Sequence, residues 1–315
     1  MKVQNAFDKL SEQKSFSAEL GFDGSADDIY AAMKNEDDFK RSDAEMLAGL
    51  TVKVGAASDK PLKDTKDGGS MSLALSNGKA DLFELRSVDK KLYIRADLKA
   101  ITALDTSSKG SGTKELDDML KQADQLPSSL ASVKNVLKGK WIEFDPKSFT
   151  EFVKESGLDK EAGLPDASAT LDAKEQKKLI AAVKKALAKD ATFKDAPSKD
   201  GVDHVTVTVA GRDAATDLVS ALKGFPQFKD AMKDFKASDV PDKKFAIDVA
   251  IKDGMLSGIS LDVAQLDKQA KGKLPLSIAI DGKADPVSAP SGATELKPQD
   301  LMSAMMFLAM GQAQA

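Results

Sequence analysis

Residues 78–98 read GKADLFELRSVDKKLYIRADL, and the alternation in this run decides the fold class. Phe83 and Leu85 alternate with Glu84 and Arg86, while Leu92, Ile94 and Ala96 alternate with Tyr93 and Arg95. A two-residue repeat of this kind places every second side chain on the same face, as in a strand with one apolar side. Only SVDKK, residues 87–91, separates the two runs. A parallel crossover needs about a dozen residues or more, so the two strands must form an antiparallel hairpin.

The same period recurs outward from this hairpin in both directions. Toward the N-terminus it marks Phe16, Ala18, Leu20 and Phe22, then Leu50, Val52 and Val54, then Met71, Leu73 and Leu75. Toward the C-terminus it marks Ile142 and Phe144, Val205 to Val209, Phe245 to Ile251, Ile259 to Val263, and Leu276 to Ile280. About ten strands follow from this pattern, and SNGK at 76–79 and KDGM at 252–255 are further hairpin-sized separators.

Helical spacing takes over at 2–12, 113–126, 174–188, 212–222 and 225–235, and at 146–155, where Asp145 stands as N-cap and Pro146 opens the first turn. PQDLMSAMMFLAM predicts a closing helix over 298–310. Polar loops at 57–70, 106–113 and 157–172 divide these elements without forming a long linker. The expected fold class is therefore α+β: a large antiparallel sheet in a single domain spanning 1–315, with a helical insertion around 157–240 and a C-terminal helix at 298–310.

Composition narrows the function classes. The 315 residues are 42% hydrophobic and 30% charged with a formal net charge of −4, enough apolar content to bury a core. Of 46 basic residues only Arg41, Arg86, Arg95 and Arg212 are arginines, the side chain best shaped to grip phosphates and base edges, so nucleic acid is not an expected partner. The absence of cysteine excludes disulfides, thiolate nucleophiles and cysteine-bound metals, and leans mildly toward export. No apolar run reaches the ~18 residues of a membrane span, and MKVQNAFDKL lacks the apolar core of a signal peptide.

Chemistry-bearing motifs are few. His204 is the only histidine, which excludes a histidine metal cluster; in VDHVTVTV it falls on the face of Thr206 and Thr208, opposite Val205 and Val207, as a solvated strand residue would. DGSADD at 23–28 begins like a calcium loop but lacks the required glycine and the closing glutamate, so it reads as a polar turn before a helix cap. Adjacent carboxylates such as Asp37/Asp38 and Asp117/Asp118 diverge on a helix and do not form an acid–base pair. The lysine-rich 174–188 segment fits either a core-packed helix with a solvated back or an interfacial helix. The methionine-rich 298–310 helix fits either core closure or the wall of a lipid-sized cavity.

The opening helix, the strand KSFSAELGFDG, the hairpin at 78–98, the helical stretch after it and then GKWIEFDP at 139–146 together resemble the actinobacterial extracytoplasmic lipoproteins of the LppX/LprG type and, more distantly, the LolA-like carrier superfamily. Leu92, Tyr93, Ile94 and Arg95, followed by Lys140, Trp141 and Ile142, carry that resemblance, which spans roughly residues 1–285. It implies a curved antiparallel half-barrel with helices over its concave face and an apolar cavity for acyl chains. It also implies a noncatalytic role without cofactor, a lipid or other hydrophobic ligand as partner, a monomer, and attachment to the cell membrane through a lipidated cysteine. This chain contains no cysteine, so a signal peptide and anchor would have to precede Met1. The 157–240 region also carries more helix than a minimal carrier.

Under that reading the cavity would be lined by inward-facing strand residues: Phe16, Leu20, Leu73, Phe83, Ile94, Phe144, Val207, Ile247 and Ile278. Ile142 and Phe144 are expected to face inward, with Trp141 and Glu143 opposite and Trp141 holding the strand-to-helix corner. Two other readings stand beside the carrier. One is a cell-surface protein-binding or sensory module with a filled core; the other is a hydrolase using dispersed carboxylates or His204, which would need a polar pocket with a shifted pKa.

Overall fold

Hairpins with tight, polar turns organise the chain. The structure, a computed structural model, describes residues 2–35, 38–65, 69–78, 80–104, 111–156, 191–223, 238, 240–266, 272–300, 302, 303 and 306. The elements in chain order are α1 (Lys2–Ser11), β1 (Ser15–Phe22), α2 (Ala26–Met33), α3 (Arg41–Gly49), β2 (Leu50–Ala57), β3 (Ser70–Asn77), β4 (Ala80–Val88) and β5 (Lys91–Ala96). They continue as α4 (Leu98–Leu104), α5 (Ser111–Asp124), α6 (Ala131–Leu137), β6 (Ile142–Phe144), α7 (Pro146–Ser156), β7 (Thr192–Lys199), β8 (Val202–Ala210), α8 (Gly211–Leu222), β9 (Lys244–Lys252), β10 (Met255–Asp262), β11 (Pro275–Asp281) and β12 (Thr294–Glu295). The protein is thus α+β, with its expected antiparallel ladders and helices in separate blocks.

Three turns show why the hairpins close where they do. Asp89 and Lys90 (φ 52° and 66°), Asp200 and Gly201 (51° and 77°) and Asp253 and Gly254 (51° and 73°) each place two consecutive residues in the left-handed region. That is the geometry of a two-residue hairpin turn whose twist matches the flanking strands, and aspartate and glycine tolerate it.

The chain divides into two compact units. The first comprises residues 1–51, 58–67 and 169–284. Its strands run in the order β1-β11-β10-β9-β8-β7, each pair antiparallel. Cross-strand register puts Leu20 opposite Ile278, Ile278 opposite Ile259, Ile259 opposite Val249, and Val249 opposite Val205. Part of this apolar face is packed: Val205, Val249 and Leu256 are 2%, 4% and 1% exposed, and Ala6 of α1 is fully buried in the same cluster with Val3, Phe7 and Leu10 against it, while Leu20, Ile259 and Ile278 are half-buried. The three-to-four spacing of those α1 residues makes the stripe that covers the strands.

At the other end of this unit, α2 and α3 bury Ile29, Ala32 and Ala44 against Ala264 and Leu274. The DGSADD stretch is resolved as a turn and a cap. Ser25 Oγ accepts from the Asp28 amide while the Asp28 carboxylate accepts from the Ser25 amide, a reciprocal capping box that starts α2. Those bonds to Ser25 hold the Asp28 carboxyl below the usual carboxylate range.

The second unit comprises residues 52–57, 68–168 and 285–315. Its strand order is β2-β3-β4-β5-β6-β12; β3 with β4, β4 with β5 and β5 with β6 pair antiparallel, and β12 makes a short parallel pairing with β6. Helices α5 and α6 share their own small core of Ala123, Leu126, Leu130 and Val133 with Leu137 and Leu296. Ser132, buried in this cluster, donates to Asp300 at 2.8 Å, which ties the segment after β12 to α6.

Several expected elements fall outside the described residues: the helices at 174–188 and 225–235, the loop at 157–172 and most of the closing helix, of which 298–300, 302, 303 and 306 are helical. Within the expected helical insertion, residues 192–199 and 202–210 are strands. Among the described residues no helix is long and apolar enough to cross a membrane.

Candidate functional site

The second unit carries two contrasting sheet faces, set by the register of the hairpin that opened the sequence reading. Leu73 stands opposite Leu85, Leu75 opposite Phe83, Leu85 opposite Ile94, and Ile94 opposite Ile142, while Leu92 meets Phe144. All lie on one apolar face. Its coverage is partial: Leu73, Leu75, Phe83, Leu85, Leu92, Ile94 and Phe144 are each half-buried, and only Ile142 reaches 4% exposure. Phe144 meets Phe149 of α7 edge-on, with ring centroids 5.4 Å apart.

The opposite face is polar and tightly bonded. Arg86 pairs with Tyr93 across the strands, and Glu84 with Arg95. The Arg95 guanidinium donates to Glu84 and, at 3.2 Å, to Asp81, while Arg86 donates to Glu84 and to the Ser288 carbonyl at 3.3 Å each. Both guanidinium carbons stand over the indole of Trp141, 4.8 and 5.4 Å from its centroid. Next to them Lys91 donates to Glu143 at 2.6 Å, and this bond, with a second from Tyr93, holds the Glu143 carboxyl below the usual range. Burial, at 6% exposure, pushes the Tyr93 hydroxyl up. Trp141 and Glu143 thus take the side opposite Ile142 and Phe144, as the alternation requires.

A bulge connects the two faces. Pairing of β3 with β4 shifts between Leu75 and Ser76, so that Ser76 meets Asp81 and Leu82 is the extra residue. One inserted residue flips the local alternation. It brings Asp81 to the side of Arg95 and leaves Leu82 only 2% exposed.

Where β4 begins and β5 ends, the unit has a cleft of about 660 Å³. Leu98, Leu120 and Leu137, from α4, α5 and α6, supply apolar wall. Asp81, Arg95, Asp97, Lys99, Asp124 and Lys138 supply the charge. Most of that charge is already matched. Lys138 stands 2.6 Å from Asp124, which Lys134 also approaches at 3.4 Å; Lys99 is 3.6 Å from Asp117; Asp97 accepts from the Ala100 amide at 2.9 Å and so starts α4.

The expected cavity-lining residues divide between the units. Leu73, Phe83, Ile94 and Phe144 come together on the half-covered face of the second unit. In the first unit Val207 is 7% exposed in the packed cluster with Ile247 against it, Leu20 and Ile278 pair across β1 and β11, and Phe16 is half-buried at the start of β1. None of the nine lines the cleft, whose charged residues had no signal in the sequence beyond ordinary surface charge. His204 does lie on the face of Thr206, and it is half-buried with Nδ1 2.7 Å from Asp248 Oδ2 rather than freely solvated. Among the described residues no group of three or more His, Cys, Asp or Glu side chains could hold a metal.

No family model matches the chain, and no curated protein matches it. Among solved structures it is similar to LprF from Mycobacterium bovis, with 10% sequence identity and a TM-score of 0.36 over 92% of this chain and 96% of that one. It is also similar to the lipoprotein LppX from Mycobacterium tuberculosis, with 8% identity and a TM-score of 0.34 over 91% of this chain and 96% of that one.

Proposed function

We propose that the chain is a noncatalytic, extracytoplasmic lipoprotein that binds or carries a lipid or other hydrophobic ligand. The observation that carries this reading is the apolar face of Leu73, Leu75, Phe83, Leu85, Ile94 and Phe144, whose side chains are only half-buried by the protein itself. Acyl methylenes laid on that face gain about 0.8 kcal/mol each on leaving water, and no proton transfer is involved. The ligand contacts in this reading are Leu73, Phe83, Ile94 and Phe144, which share that face, while Val207 is 7% exposed in the packed cluster of the first unit. In this reading the protein acts as a monomer held at the membrane by a lipid anchor.

The packed face of the first unit favours one alternative, a cell-surface protein-binding module with a filled core. Native mass spectrometry of gently purified protein, followed by organic extraction, separates the two. The carrier predicts a stoichiometric adduct that resolves into acyl lipids and is lost in an Ile94→Asn variant. A clean apo mass that persists after incubation with membrane lipid extract would overturn the carrier reading and leave the binding module.

A further inference from the structure

One edge of the first unit's strands is open. β7 ends the strand order, pairs only with β8 among the described strands, and is exposed at seven of its eight residues. Phe193 is 55% exposed on it, an unusual place for a large apolar side chain. Along an antiparallel strand each residue turns both its amide and its carbonyl to one side, and the sides alternate. The Gly211 amide donates to the Lys243 carbonyl just past the Ala210–Lys244 pair, so odd-numbered residues of β8 bond to β9 and even-numbered ones to β7. Thr208, Thr206 and His204 therefore bond to Thr192, Lys194 and Ala196, and Phe193 and Asp195 turn their amides and carbonyls outward. Beyond Ala196 the ladder shifts register and Pro197 has no amide, which closes that half of the edge to a further strand. Residues 191–196 stay open to one.

Charge and register show that β7 fits a second copy of itself. Two such strands can pair antiparallel about a two-fold axis, provided that outward amides meet outward amides. Registers that overlap by about five residues place Phe193, Lys194 or Asp195 opposite its own counterpart. The second and third set two lysines or two aspartates directly against each other, which is destabilising. The first sets Phe193 against Phe193, Thr192 against Lys194 and Ala191 against Asp195, so that no like charges are opposed and the two exposed rings cover each other. We propose that this edge is an interaction surface between copies of the chain, with β7 pairing antiparallel to β7 of a second copy about an axis at Phe193. So short a ladder buries little area, and the pairing is weak and reversible. The inference goes beyond the carrier reading, which concerns the ligand face of a single chain.

The chain has no cysteine, so single cysteine substitutions report the register. In the proposed pairing the two residues 193 stand about 5.5 Å apart between Cα atoms, within disulfide reach, while the two residues 195 are offset by about 13 Å along the strands. Under mild oxidation Phe193→Cys is expected to form a disulfide-linked dimer at least about tenfold faster than Asp195→Cys. In analytical ultracentrifugation the unaltered protein is expected to be a monomer at about 10 µM and to contain a substantial fraction of dimer at about 1 mM. Phe193→Asp, which opposes two carboxylates on the axis, should weaken that association by about tenfold or more with an unchanged circular dichroism spectrum. Cross-linking at residue 195 as fast as at residue 193 would overturn the proposed axis. A protein that stays monomeric at about 1 mM, or a dimer untouched by Phe193→Asp, would overturn the interaction surface itself.

Discussion

The two units use the same apolar strand pattern to different ends. In the first, Val205, Val249 and Leu256 are nearly inaccessible in one cluster with Val3, Ala6, Phe7 and Leu10 of α1. In the second, helices α5 and α6 pack on each other around Leu126 and Leu130, and the strand residues Leu73, Phe83, Leu85 and Ile94 stay half-buried. The difference teaches that an alternating strand specifies which side is apolar and leaves open how fully that side is covered. Coverage depends on what packs above the strand, and a helix stripe can satisfy itself elsewhere.

The contrast can be broken by mutation, and the largest effect is expected in the closed core. Leu256→Ala should destabilise the protein by about 2–5 kcal/mol, the range for truncating a fully buried leucine, whereas Leu85→Ala should cost markedly less because water already reaches its neighbours. Equal shifts in chemical denaturation midpoint would remove the distinction between the faces. A smaller but sharper probe is Gly211, where an added Cβ would sit 1.6 Å from the Phe245 ring. Gly211→Ala is expected to cost about 1–3 kcal/mol through overpacking, and Gly211→Ala combined with Phe245→Leu should recover part of that loss.

On the polar side of the second unit, Trp141→Leu should remove the contacts of Arg86 and Arg95 with the indole. Thermal unfolding should then fall by an amount equivalent to about 0.5–2 kcal/mol while the apolar face still takes up lipid. Loss of lipid uptake in this variant would show that the two faces are coupled. The smallest expected effect concerns Glu143. Its folded-state pKa is depressed by Lys91 and Tyr93, so its contribution is present above the unfolded glutamate value of about 4.3 and is lost as pH falls through the folded value. The melting-temperature gap between the unaltered protein and Glu143→Gln should therefore close in acid. A gap that stays constant down to the acid end would rule out the ionised carboxylate as its source.

Much of this architecture was legible in the sequence because hairpins leave two signals at once, alternation and turn chemistry. The 78–98 run gave both strands and their pairing, and Asp253-Gly254 did the same for β9 and β10. Strand β7 was missed because it is exposed along nearly its whole length and so shows no alternation; the Asp200-Gly201 turn after it was the available clue. The short helices α3, α4 and α6 were missed for lack of enough turns to establish a period. The cleft was illegible for a different reason. Its charges come from the start of β4, the end of β5 and three helices, and only the fold brings Asp81 and Lys138 to one wall. The partner of His204 is likewise forty-four positions away, on a neighbouring strand.

Trp141 also gives the molecule a built-in reporter. It is the chain's single tryptophan and lies in the second unit, where its emission senses Arg86 and Arg95 on one side of strands whose other side is apolar and half-open. The first unit contains no indole, so tryptophan fluorescence and circular dichroism observe different parts of the chain during the same unfolding experiment. Superimposable transitions would mean that the two units melt as one cooperative body, and separated ones that each has its own stability.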